Sequence, residues 1–439
     1  MQVKNLTVNR LCQNQVITAA NGSLPGPTLR VKEGEWWNAN PIDVENAALA
    51  NGTAPVISDA YTINGWPGDQ FNSCRPSNIY RLDVVPGKTY LLRIINAALN
   101  GQFFFKIANH NLTVVGVDAA YTNPFQTDVV VIGPGQTTDV LLTANQSPGL
   151  YYMAAHPYAS AAGVPFNANT TTAILAYKKA ASQTKPILPV LPAFNDTPTA
   201  FAFSSNLTGL VTSPFWSQVP QTVDEDMLIT IGLGLSVCGG SNQTCGGIFG
   251  QRMSASMNNH SFVLPTRMSI LEAFFRNVSG VYTTDFPNQP PLIFDYTNVN
   301  NSFNPGLLMT PKLTSVKKVK FNSTVQVVFQ NTALVGVEDH PMHLHGFNFY
   351  VLAQGFGNYD PTTDTRKFNL VNPQERNTLG VPVGGWAVIR FRANNPGVWF
   401  IHCHLDVHLP WGLATAFLVE NGGTPESTLP PPPADFPRC

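Results

Sequence analysis

Short runs of β-branched and aromatic residues, bounded by Gly, Pro and Asn, recur along the whole chain; residues 114–117, 128–132, 139–142, 323–329, 386–391 and 416–419 are examples. Runs of this kind predict short strands, and amphipathic stretches of helical length are scarce, so the expected class is all-β, a sandwich or barrel. The strongly apolar stretch 412–419 falls far short of the roughly 18 residues that a membrane span needs, and no other run approaches that length. The pattern therefore predicts no membrane partner.

The strand pattern repeats. Pro148-Gly-Leu-Tyr-Tyr-Met-Ala-Ala-His156 matches Pro396-Gly-Val-Trp-Phe-Ile-His-Cys-His404 position by position, and YLLRIINAAL at 90–99 resembles VQVVFQNTAL at 325–334. The two offsets differ by what loops absorb. Two related β-domains are expected, joined by a Pro- and Thr-rich stretch at 185–199. Where the second copy has His402, Cys403 and His404, the first has Ala154, Ala155 and His156, so one copy holds chemistry and the other is structural.

Composition narrows the class. At 439 residues the chain suits two or three domains of roughly 150 residues each. Charged residues are 12%, about half the usual share of roughly 25%, while Leu, Ile, Val and Phe stay plentiful, which suits a folded extracellular β-protein. Net charge is −1 with both signs scattered, so a nucleic-acid footprint of clustered Lys and Arg is absent. Asn-X-Ser/Thr sequons stand at Asn5, Asn21, Asn51, Asn111, Asn145, Asn169, Asn195, Asn206, Asn242, Asn259, Asn277, Asn300 and Asn322. That density favours a secreted glycoprotein, although Met1-Gln-Val-Lys-Asn carries no apolar signal-peptide core.

Six of the nine histidines fall in two segments, His340-Pro-Met-His343-Leu-His345 and His402-Cys403-His404-Leu-Asp-Val-His408. Alternate strand residues face opposite ways, so His343 pairs with His345, His402 pairs with His404, and Cys403 points away from its neighbours. One strand thus offers a thiolate to one metal site and two imidazoles to another. Cys403, His408 and His340 make a His₂Cys set, which with a weak axial neighbour is a blue-copper electron-transfer site. Leu413, just past His408, is placed to be that neighbour, and a non-coordinating residue there favours Cu(I) and raises the reduction potential. His343, His345, His402 and His404 are donors suited to copper or zinc, but the paired arms of structural zinc sites are missing. His110, His156 and His260 have no His or Cys close by and are expected to be structural. Cys238 and Cys245 read as a C-x₆-C metal arm or, in a secreted context, a local disulfide, with the disulfide expected. No Gly-X-Ser-X-Gly elbow supports a hydrolase.

HPMHLHGFNFYVLA and GVWFIHCHLDVHLPWGLATAFLVE resemble the third and fourth copper signatures of multicopper oxidases, specifically plant laccases. VITAANGSLPGPTLRVKEG, EWWNAN, DAYTINGWPGD and LPPPPADFPRC extend the resemblance over essentially the whole chain. It implies tandem cupredoxin-like Greek-key β-barrels or sandwiches, three domains in the family. It implies copper as cofactor, four ions per member. The implied activity is one-electron oxidation of phenols, benzenediols and monolignols at a type 1 copper, coupled to reduction of O2 to water at a trinuclear cluster. Carried over by position, His340, Cys403 and His408 correspond to type 1 ligands with Leu413 axial, His343 to a type 2 ligand, and His345, His402 and His404 to type 3 ligands. The expected setting is secreted, in the apoplast, as a monomer acting on small phenolics and O2.

One departure is plain. The family's cluster takes eight histidines, four of them from two His-X-His segments of the first domain, and this chain has neither segment. RVKEG, ending at Gly34, runs directly into EWWNAN at Glu35 where the family continues through the rest of that domain; Gly34 fits either side of the join. The expected organisation is a remnant of the first cupredoxin domain over 1–34, a ligand-free second domain over 35–184, a linker over 185–224, and a third domain over 225–439. The third carries a complete type 1 site and half of the cluster. The alternatives to a working oxidase are a non-catalytic electron-transfer protein and an inactive truncated isoform. In laccases the C-terminal Cys pairs with a first-domain Cys, so Cys439 is expected to lack a partner within the chain, with Cys12–Cys74 and Cys238–Cys245 as the disulfides.

Overall fold

Strand residues sort by face. In Thr137–Thr143 the buried positions are Thr138, Val140 and Leu142, every second residue, as a strand with one covered face requires. Thr171–Tyr177 is buried at every position, because it runs through the middle of its sheet under cover on both sides. In the computed structural model, the described residues are 34–71, 79–180, 185–239 and 243–433, with the backbone of 3–10 and 13–20. The last two segments form an antiparallel hairpin, Val3–Arg10 against Gln13–Ala20.

The chain builds two β-units of the same plan. In the first, a five-stranded sheet runs Val130–Ile132, Phe103–Ile107, Leu150–Pro157, Thr171–Tyr177, Tyr80–Val84, and a four-stranded sheet runs Thr89–Ile95, Thr137–Thr143, Leu112–Val117, Ala120–Thr127. The second repeats the first sheet as Thr378–Val381, His340–Leu344, Gly397–Cys403, Ala414–Val419, Lys317–Val319. In both sheets the last pairing is parallel and the others antiparallel. The four-stranded order recurs as Thr324–Asn331, Gly385–Arg392, Phe349–Phe356, Glu375–Arg376, extended by Glu225–Ser236 and Arg252–Met257. The two repeat pairs read from the sequence are thus topologically equivalent strands. Register makes the contrast concrete: Ala155 faces Phe105 in one unit and Cys403 faces Met342 in the other, so Phe103 stands where His340 does. Apolar bulk fills in one unit the place that donors take in the other.

Each unit has its own apolar core; the second includes Met342, Leu379, Ile401, Cys403, Trp411 and Leu413 among its buried members. All-β with few helices is as expected, but the helix Pro41–Asn51 escapes the pattern of apolar spacing. Only Ala48 is buried in it, so no apolar stripe marks it. Its signal lies in its ends: Asn40 caps it by accepting from the Ile42 amide, Pro41 opens it, and Gly52 closes it at φ 76°. Residues 185–224 are more than a connection. The helix Thr197–Ser205 in that stretch meets the second unit through Ser204, which donates to Gln354 Oε1 at 2.8 Å and accepts from Gln374 Nε2 at 2.9 Å. Cys238 and Cys245 are joined as a disulfide, which removes the metal-arm reading. Cys12, Cys74 and Cys439 lie outside the described residues. Among the described residues no helix is long and apolar enough to cross a membrane.

Candidate metal centre

Cys403 ends the strand Gly397–Cys403, and its backbone N–H donates to Leu413 O at 3.1 Å. Between them the chain turns through the short helix His408–Trp411 and Gly412, whose φ of 109° reverses direction so that Leu413 returns beside Cys403. His340 begins the neighbouring strand. Cys403 Sγ lies 3.4 Å from His408 Nδ1 and 3.7 Å from His340 Nδ1. The three donor atoms are within 4.8 Å of one another, all buried, with Leu413 fully buried in the same core. Burial pushes the Cys403 thiol well above its ordinary range and depresses His340 to about 3, so both are uncharged before a cation arrives. The acidic residue before the segment completes the set. Glu338 Oε1 lies 3.2 Å from His408 Nε2 and, at 18% exposure, keeps contact with solvent. A carboxylate there accepts Nε2–H, which leaves the Nδ1 lone pair facing Cys403. A soft thiol and two imidazole lone pairs converging in an apolar pocket fit copper.

The other four histidines gather on the opposite side of the Cys403 strand, as strand alternation predicts. His345 Nε2 and His402 Nε2 are 3.1 Å apart. The His343 ring lies 4.8 Å from His345, 5.6 Å from His402 and 5.5 Å from His404, centre to centre. His402 Nδ1 donates to Cys403 O at 2.8 Å and His343 Nδ1 to Asn377 O at 2.9 Å; a carbonyl only accepts, so in both neutral rings Nε2 carries the lone pair, which in His402 faces His345 Nε2. Burial holds His402 at about 3 and His343 at about 4, neutral at physiological pH. Beyond them lies an open cleft lined by His343, His345, Phe347, Asn348 and Asn377, with His345 exposed. The chain's three remaining histidines are elsewhere. His110 bonds Ala108 O and Tyr177 OH at 2.7 Å each, His156 packs against Phe104 and Phe194, and His260 against Phe286. Four imidazoles on one wall do not fit a trinuclear cluster that takes eight.

The ligand-free unit supports this wall. The hairpin tip Asp118-Ala119 has φ of 45° and 67°, as a two-residue hairpin loop requires. Asp118 Oδ2 accepts from Arg376 Nε at 3.1 Å and from the Asn377 and Thr378 amides at 3.3 and 3.2 Å. Those same two residues hold His343 Nδ1, through Asn377 O and Thr378 Oγ1. Side-chain exposure is 3% for Arg376 and 1% for Asp118. Removing one partner strands the other's charge, so Arg376→Met should lower the unfolding free energy by about 3–5 kcal/mol, read from urea denaturation. Arg376→Met with Asp118→Asn should recover part of that loss; a double variant no better than the single one would refute the pairing. Gly135, at φ 76°, comes so close to His404 that a Cβ there would lie 2.3 Å from its Nε2.

Glu338, Asp118, Arg376 and Gly135 were not legible as site residues. Beside Glu338 the backbone carries a mark that only the structure shows: Val335, a β-branched residue three positions earlier, sits at φ 62°. That conformation is rare for Val, and such strain collects at functional sites. It is held by Val335 N donating to Ser302 O at 2.8 Å and Asn331 Nδ2 to Glu338 O at 2.6 Å.

Models of the multicopper oxidases match residues 30–180 and 285–423. Laccase-7 of Arabidopsis thaliana is 51% identical over 543 aligned positions, covering 100% of this chain and 94% of that protein. Set against a chain of 439 residues, 543 positions leave 104 at which this chain has no residue. Laccase-12 of the same plant is 55% identical over 408 residues, 92% of this chain and 71% of the relative. A solved laccase from Botrytis aclada shares the fold at a TM-score of 0.61 and 24% identity, over 88% of this chain and 62% of that one. Fet3p, described as a multicopper oxidase that functions in iron import, shares it at 0.62 and 22%, over 88% and 64%. The chain spans less than two thirds of either solved chain.

Proposed function

We infer function from one premise: this chain belongs to the multicopper oxidases and, within them, to the plant laccases, an oxidoreductase family that uses copper. The reading is one-electron oxidation of small phenols, of the benzenediol and monolignol class, in which His340, Cys403 and His408 would hold copper with Leu413 packed in the same core. The observation that carries it is the buried convergence of Cys403 Sγ on two Nδ1 atoms. Copper bound there supplies a one-electron acceptor that the soft thiolate suits. The chain's own residues do the rest. Glu338 sets the tautomer of His408, and Leu413 with its apolar neighbours excludes water and a fourth donor.

The oxygen-reducing half is not supported in this chain, since His343, His345, His402 and His404 stand alone. The division at 34, 184 and 224, with a remnant of the first domain, is part of the same reading, and the shortfall of 104 positions against Laccase-7 supports it. Secretion, as a monomeric glycoprotein of the apoplast, also belongs to it. Nine sequon asparagines, at 51, 111, 145, 169, 195, 206, 277, 300 and 322, are exposed, as glycan acceptors must be.

Copper loading of the purified chain tests the reading. About one tightly held copper per chain, with the intense visible absorption of a thiolate–Cu(II) bond, is expected by metal analysis and spectroscopy. Colourless protein after loading would refute it.

A further inference from the structure

The second half of the Cys403–His408 loop is tied to the unit that contributes no donor. Asp406 N donates to Leu99 O at 2.9 Å and Val407 N to Asn100 Oδ1 at 3.1 Å, so two successive amides just before His408 find their partners across the unit boundary. The turn that offers them connects Thr89–Ile95 to Phe103–Ile107 and is braced from within. Buried Asn96 donates to Gly101 O at 2.7 Å and to Ile132 O at 3.0 Å, and accepts from the Ala98 amide at 2.9 Å. Glu35 closes the brace. Its Oε2 accepts from the Asn100 amide at 2.6 Å, the Leu99 and Gly101 amides also bond its carboxyl, and Ser58 Oγ stands 3.5 Å from Oε1.

We propose that Glu35, acting through the 99–101 turn and Asn100, is a positioning residue for the loop that sets the distance between Cys403 and His408. A carboxylate facing three consecutive amides defines the direction of the carbonyl and side chain they carry, here Leu99 O and Asn100 Oδ1. Those two acceptors decide where the Asp406 and Val407 amides rest, and so where His408 starts its helix. Desolvation pushes the Glu35 carboxyl up to about 7 in spite of the amides. An acid kept at that cost is there for what it holds. That Cys403 and His408 are copper ligands rests on the function proposed above; the grip on the loop does not.

Amide hydrogen exchange on the full chain before copper loading tests the grip directly. Glu35→Ala and Asn100→Ala should each speed exchange of the Asp406 and Val407 amides at least tenfold, while peptides from Gly385–Arg392 keep the parent rate. Glu35→Gln, which retains an acceptor oxygen, and Asn100→Asp, which retains Oδ1, should stay within about threefold of the parent. Unchanged exchange at 406–407, or an equal rise in the core strands, overturns the proposal; if Glu35→Ala fails to fold, Asn100→Ala carries the test. After loading, copper should leave Glu35→Ala to a chelator at least tenfold faster than it leaves the parent. A parent chain with no blue band would sink the copper reading and leave the exchange result standing.

Discussion

Cys403→Ser abolishes the intense visible absorption of the copper-loaded chain and reduces its tightly bound copper to well under one per chain. The colour comes from charge transfer between a thiolate sulfur and Cu(II), and a hydroxyl has neither the softness nor the acidity to replace it. Burial makes the substitution harsher. The Cys403 thiol already titrates far above its usual range, and an alkanol at that position would stay protonated at any accessible pH. Only His340 and His408 would then face the ion. The fold should survive, since the change in volume is small. A hydroxyl in this apolar core, with two imidazole nitrogens as neighbours, costs about 1–3 kcal/mol if left unsatisfied. Absorbance, copper content and a thermal melt on the same preparation separate loss of the site from loss of the fold. A blue Cys403→Ser protein would show that another group carries the thiolate's role, although Cys403 is the only cysteine outside a disulfide among the described residues.

Sustained oxygen uptake fails. With a simple diphenol in excess, the purified copper-loaded chain should oxidise about one electron equivalent per chain and then stop. On the function proposed above, the half of the chemistry assigned to His340, Cys403 and His408 has its residues, and the half that takes eight imidazoles in the family finds four. Within one chain nothing supplies the rest: beyond the six clustered histidines only His110, His156 and His260 remain, and they pack elsewhere. An oxygen-electrode trace showing continued, copper-dependent uptake by this 439-residue chain would overturn the expectation and with it the shortfall argument.

How much of this was legible before folding depended on range. His-X-His and His-Cys-His are local patterns, and strand alternation alone places Cys403 opposite His402 and His404. The repeat of 148–156 in 396–404 foretold two units of one plan, and the parallel final strand of each five-stranded sheet bears that out. The Cys238–Cys245 bridge was likewise a matter of near neighbours. What escaped was long in range or hidden in backbone shape. Pro41–Asn51 has end signals but no apolar stripe, so periodicity passes over it. Gly135 matters because its missing Cβ makes room for His404, a fact of proximity that no pattern around residue 135 expresses.

The sequence by itself determined which donors cluster along the chain: Cys403, six imidazoles in two segments and no His-X-His pair beyond them. Those are properties of residue type and local spacing, and they bound the chemistry whatever the fold does. The tertiary structure alone decided what holds each donor in place. Asp118 reaches Arg376 across 258 residues and Asn100 reaches Val407 across 307. Hydrogen bonds at such separations arise only once two units have packed, because every residue along the intervening chain has a say in where the partners meet.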